Sequence, residues 1–232
     1  MLLGSKSSLA KVHVDSIRVG ECQVKKVPYV RNLGVWLDEN LNMQLHITKQ
    51  CQKAMMHLQA IRSIRKCLTI DATRSLLHAF VTSCLDYGNS LLIGVPKVYI
   101  NKLQMVQNMA IRCLHNLTKY DHITPYISSE HWLTVDKRIK FKLVLIIYKC
   151  LNNQGPKYLN DMLKKDFNII HNLRSNSDTL RLVVPRTTFK SYGDREFMVA
   201  GPRLWNSLPF SLRSVTDISK FKTGLKTYFF NL

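Results

Sequence analysis

The spacing of apolar residues changes once along this 232-residue chain, and that change limits what it can fold into. Between Val12 and Leu37 apolar side chains tend to alternate. Ile17 and Val19 precede Gly20-Glu21, and Val24 and Val27 follow. A period of two around a glycine turn predicts a small β-hairpin, with an extended segment after it through Val35. From Leu41 the period becomes helical. Ile47, Cys51, Ala54, Leu58 and Ile61 recur every three or four residues, with Lys49 and Lys53 on the opposite face.

Three further long helices follow from the same pattern. One starts near Thr69, an N-cap residue with Asp71 in its first turn; it buries Leu77, Phe80, Val81 and Cys84 and weakens around Gly88. The next runs from about Lys97 to His115 through Leu103, Val106, Ala110 and Leu114. Another, Val135 to Leu151, is apolar nearly all round in its second half, which predicts a central position. Gly155-Pro156 ends it. An irregular stretch is expected over about 167–210, clearest from Phe167 to Gly193, with a β-prone run at Leu180 to Val184. A last amphipathic helix spans Ile218 to Phe230, with Phe221, Leu225 and Phe229 on one face. The expected fold is mainly α with a small β element at the front. It divides into residues 1–40, 41–120 and 121–232.

Charge narrows the function. Lys and Arg total 34 against 15 acidic residues, a net charge of +19. Residues 1–40 carry 6 basic and 4 acidic side chains, 41–120 carry 10 and 2, and 121–232 carry 18 and 9. The excess therefore belongs to the body of the fold and not to an added tail, and a protein this basic is expected to meet a polyanion. The six cysteines are widely spaced with no Cys-x-x-Cys pair, and several fall in apolar helical patterns. After Met1-Leu2-Leu3 the chain turns polar, so no secretory signal is read. The longest apolar run near a helix centre, Leu143 to Ile147, is far short of a membrane span. The expected setting is intracellular, nucleus or cytoplasm, with reduced thiols; the chain is not expected to be secreted.

Catalytic chemistry finds no foothold. A two-metal enzyme needs converging carboxylates, yet there is no Asp-Asp pair and no acidic residue between Asn40 and Ile70. Asp38-Glu39, at a strand-to-helix turn, reads as helix-start capping. His57 and Cys51 have the wrong spacing for two ligands on one helical face. No Gly-x-Ser-x-Gly turn or phosphate-cradling glycine loop is present. Neither a catalytic residue nor a metal ligand is assigned, and no small-molecule substrate, cofactor or membrane is expected.

Basic residues remain. Arg62, Arg65 and Lys66 close the first helix, where cations also suit the macrodipole. Lys137, Arg138, Lys140 and Lys142 crowd the first two turns of a helix, where the dipole disfavours them. Phosphate contact and solvated charge both stay open for that cluster. The nucleic-acid-binding candidates are thus Lys49, Lys53, Arg62, Arg65, Lys66, Lys137, Arg138, Lys140 and Lys142. Trp36, Trp132 and Trp205 could stack on bases, but burial as anchors is the favoured reading.

Nine strings take the reading further. In order stand NLGVWLDENL (Asn32 to Leu41), LDYGNSLLIGVP (Leu85 to Pro96), LQMVQNMAIR (Leu103 to Arg112) and HITPY (His122 to Tyr126). EHWLTVDKRIKFK (Glu130 to Lys142), LRS (Leu173 to Ser175), VPR (Val184 to Arg186), GDREFMVAGPRLWNSLP (Gly193 to Pro209) and FKTGLKTYFF (Phe221 to Phe230) follow. The series resembles the region downstream of the polymerase palm in jockey-like and related LINE-type non-LTR retrotransposon reverse transcriptases, and covers nearly the whole chain. MLLGSKSSL, Met1 to Leu9, is similar to the stretch shortly after the catalytic Asp-Asp motif of those enzymes. The resemblance implies that residues 1–40 are the end of a palm, with NLGVWLD in the primer-grip neighbourhood. It implies a helical thumb over 41–120 and a C-terminal segment beyond. The metal-binding aspartates of such enzymes, and with them magnesium, belong to a region this chain does not contain. The implied partners are RNA and RNA–DNA duplex. Gly88, Glu130 and Thr134 depart from the family's usual Cys, Leu and Pro. The alternative is a domesticated or remnant helical module that binds an acidic protein. Oligomeric state is not legible.

Overall fold

The computed structural model describes residues 1–165, 180–189 and 192–232. It is mainly helical, with a small β region at the front. A short turn of helix, α1 (Lys6–Leu9), precedes two separate antiparallel hairpins and not the single one expected. The first joins β1 (Ser16–Val19) to β2 (Cys22–Lys25), and the second joins β3 (Tyr29–Asn32) to β4 (Val35–Asp38). The segment expected to be merely extended finds a partner because Leu33 and Gly34 both adopt positive φ, 46° and 84°. A two-residue turn that matches strand twist requires this geometry. Leucine is a poor residue for it, which is why the sequence does not announce the turn.

The long helices follow their periodicity. α2 (Gln44–Ile64) buries Ile47, Ala54, Leu58 and Ile61, as expected. Its start lacks a side-chain cap. The Asp38 carboxylate instead accepts from the backbone N–H groups of Asn40, Asn42 and Met43 at 3.1, 3.0 and 3.1 Å, holding the loop that leads into the helix. In α3 (Ile70–Leu76), Thr69 is the N-cap and accepts from the Ala72 N–H at 3.2 Å. The chain then passes through a π-helical stretch, Leu77–Thr82, into α4 (Ser83–Asp86). The wider turn rotates the apolar face, so Thr82 is buried and Phe80, expected in the core, is 47% exposed. α5 (Lys97–Leu114) buries Leu103, Val106, Ala110 and Leu114 and packs against α2.

Two compact units result. The first is Met1–Gly88 with Val95–Lys119; the second is Asn89–Gly94 with Tyr120–Leu232. The hairpins thus share a unit with the helices of 41–120 and do not stand apart as a region of their own.

In the second unit, α6 (Thr124–Ser129) leads to α7 (Val135–Leu151), whose bounds match the sequence pattern. Val144, Ile147 and Tyr148 of α7 are at most 1% exposed, which makes it the axis of this core. α8 (Lys157–Asp161) follows. Among the described residues the β-prone run at Leu180 forms a single bridge, Lys165 to Leu182. The irregular stretch ends sooner than expected, because α9 (Phe197–Asn206) forms despite Gly201-Pro202. Packing overrides propensity there. Val199, Ala200 and Trp205 are buried, the Trp205 Nε1–H donates to the Leu180 carbonyl at 2.8 Å, and a Cβ on Gly201 would press on Ile147 at 3.2 Å. α10 (Phe210–Arg213) turns the chain into α11 (Ile218–Asn231), capped by Asp217. Phe221, Leu225 and Phe229 of α11 are buried, and Phe221 stacks on Tyr148 at 4.0 Å. LRS, Leu173 to Ser175, lies outside the described residues, as does most of the first half of the expected irregular stretch.

Candidate nucleic-acid interface

Lys49 and Lys53 project from α2 one helical turn apart, both exposed. No acid follows Glu39 until Asp71, so no carboxylate on α2 can neutralise them. The β3–β4 hairpin and α4 both pack on α2. Between these elements lies an open pocket of about 360 Å3 lined chiefly by Arg31, Trp36, Lys49, Gln50, Lys53 and Tyr87. Three cations and two aromatic rings meet there, and no carboxylate is in the lining. Neither lysine makes an ion pair among the described residues.

The walls of the pocket are fixed from behind. The Trp36 backbone N–H donates to Nδ1 of His46, at 3.5 Å, which ties the hairpin to α2. His46 is 1% exposed, and burial pushes its pKa below the ordinary value, only partly opposed by the Tyr87 backbone. It therefore stays neutral and able to accept. The Trp36 ring takes the edge of Tyr29 at 5.9 Å and carries the Arg31 guanidinium over it at 5.8 Å. The Tyr87 hydroxyl donates to the Leu33 carbonyl in the hairpin turn. Gly34 is needed for this approach, since a Cβ there would stand 2.9 Å from the Tyr87 oxygen. The strings NLGVWLDENL and LDYGNSLLIGVP, some fifty residues apart in sequence, thus meet in one pocket.

The other basic candidates fare differently. Arg62 and Lys66 are exposed near the end of α2. Arg65 turns inward: it donates to the carbonyls of Cys113, Leu68 and Leu114 at 3.0, 3.0 and 2.8 Å. Its guanidinium clamps the C-terminal ends of α2 and α5 together, so it does not belong with a phosphate-facing set. The four cations of α7 are not one cluster either. Lys140 pairs with Asp136 at 2.6 Å, the i, i+4 contact that offsets crowded charge on a helix. Arg138 and Lys142 share a stripe, and Lys137 stands roughly 100° around the helix from Arg138. The four thus spread over more than one face of the helix. Trp132 and Trp205 are buried anchors at 4% and 2% exposure, whereas Trp36 is partly exposed and lines the cationic pocket.

Arg31, Gly34, Gln50 and Tyr87 were not singled out by sequence reasoning. Their one signal was membership in, or closeness to, the two converging strings. Elsewhere, burial raises the thiol pKa values of Cys51, Cys113 and Cys150, and none of the six cysteines is in a disulfide. Among the described residues, no three His, Cys, Asp or Glu side chains gather to hold a metal ion, and no helix is long and apolar enough to cross a membrane. Comparison with known proteins yields no relative: no family model, no curated protein and no solved structure matches the chain.

Proposed function

We propose that the chain is the post-palm part of a non-LTR retrotransposon reverse transcriptase, thumb and following segment, and that it holds template RNA and RNA–DNA duplex through the phosphate backbone. Without an Asp-Asp motif it binds nucleic acid and does not copy it. The observation that carries the reading is the pocket at Lys49 and Lys53. Three cations lie together without a carboxylate, at the place where two of the strings that carry the resemblance converge. Exposed like charges left uncompensated disfavour each other, and a polyanion is the ligand that relieves them.

A protein-binding reading has one observation in its favour. Ile17 faces Val24 and Val19 faces Cys22 across the first hairpin, and Ile17, Val19 and Val24 are 54%, 62% and 53% exposed. Such an apolar face suits a polypeptide partner.

A salt titration of binding to RNA and to RNA–DNA duplex separates the two readings. If about four to eight phosphates are contacted, log affinity falls against log salt with a slope of roughly −3 to −7. Replacing Lys49 and Lys53 together by Gln reduces the slope by about 2 and weakens binding to all sequences alike. A flat salt dependence, or no binding at low salt, refutes the nucleic-acid reading and favours the acidic protein partner.

A further inference from the structure

Building on the nucleic-acid reading, we infer that the pocket between α2, α4 and the β3–β4 turn takes a single unpaired nucleotide, with its base on the Tyr87 ring and its phosphate between Lys49 and Lys53. Three features point to an unpaired nucleotide and not to a duplex.

The first is size. An open volume of about 360 Å3 lies at the small end of the range for small-molecule sites, about 300–1,000 Å3. A duplex can touch the rim of such a pocket but cannot enter it. The second is the platform. Arg31 already lies over the Trp36 ring, whereas Tyr87 is half exposed and its orientation is fixed. Its hydroxyl is held by the Leu33 carbonyl and its ring rests where Gly34 has no side chain. A fixed aromatic ring with one side open to a cationic pocket is a stacking surface for a base, and paired bases inside a duplex have no face to offer it. The third is the polar lining. Lys49 and Lys53 are about 6 Å apart along the helix axis, close enough to share one phosphate. Gln50 lies beside them on the same pocket wall, its side chain makes no hydrogen bond among the described residues, and it has both donor and acceptor groups for a base edge.

The test compares three ligands on the whole chain by fluorescence anisotropy. They are a short single-stranded RNA, a sugar-phosphate strand of equal length and charge without bases, and a blunt RNA–DNA duplex. The RNA should bind roughly 5- to 100-fold more tightly than the strand without bases. Tyr87→Leu should abolish that preference and leave the salt slope unchanged, while Tyr87→Phe, which keeps the ring, should retain it. Equal affinity of the wild-type chain for RNA and for the base-free strand overturns this inference alone, whatever becomes of the variants. So does a folded Tyr87→Leu chain that keeps the preference, or a duplex that binds more tightly than the single strand and loses affinity with Tyr87→Leu. Failure of all three ligands to bind at low salt overturns the nucleic-acid reading itself, and the inference with it.

Discussion

Replacing Arg65 by Leu tests whether this cation serves the fold or a ligand. Its guanidinium makes three hydrogen bonds to backbone carbonyls, two of them on the last turn of α5. A hydrogen bond from a charged donor contributes about 1.5–3 kcal/mol, so three would contribute about 4.5–9 kcal/mol in a dry site. Arg65 is only half-buried, and water can replace part of each bond, which brings the expected loss to about 2–4 kcal/mol. For a chain of this size that corresponds to a melting temperature lower by roughly 5–15 °C. Arg65→Lys should recover less than half, because an ammonium on that stem cannot reach the α5 carbonyls and that of Leu68 at once. The assay is thermal and urea unfolding of the three proteins beside an RNA salt titration. Affinity per folded molecule and salt slope should stay unchanged. A variant that melts like the wild type but loses about one unit of salt slope would refute the clamp and return Arg65 to the interface.

Two further outcomes follow from the ground beneath the pocket. His46 has a folded-state pKa below its unfolded value near 6.5, so the neutral form favours the fold. Its contribution is fully present above pH 6.5 and is lost as pH falls through the lower folded-state value. Urea unfolding should therefore show stability dropping below pH 6.5. His46→Gln, which keeps an acceptor for the Trp36 N–H, should flatten that part of the profile, and parallel profiles for the two proteins would contradict the assignment. Leu33 sits at φ 46° with its side chain 87% exposed, a backbone state that costs a non-glycine residue about 1–2 kcal/mol. Leu33→Asn should raise stability by about 0.5–1 kcal/mol in chemical denaturation, since Asn tolerates this region and no packing is lost; a loss of stability would mean that the exposed leucine has a contact in the folded protein.

Much of the helical framework was legible because helix formation is a local, repeating property. Thr69 as a cap, the bounds of α7 and the buried faces of α5 and α11 all follow from side chains three or four residues apart. The basic excess was equally plain, and it picked out Lys49 and Lys53 correctly as exposed cations on the face opposite the α2 core. What composition could not do was tell cations apart. Arg62, Arg65 and Lys66 look alike in sequence, yet only Arg65 finds the carbonyls of Cys113 and Leu114, nearly fifty residues away.

The same distinction holds for the pocket and for the elements that escaped notice. Periodicity could not foresee that a π turn swings Phe80 outward, or that buried contacts around Trp205 hold a helix across Gly201-Pro202. Nor could it bring the Leu33-Gly34 turn against Tyr87. The sequence by itself determined the helices α2, α5, α7 and α11 and the cationic excess, because propensity and charge reside in single residues and their near neighbours. The tertiary structure alone decided which cations face one another, which ring stays open and which arginine is used up inside, because those outcomes depend on contacts between residues far apart in the chain.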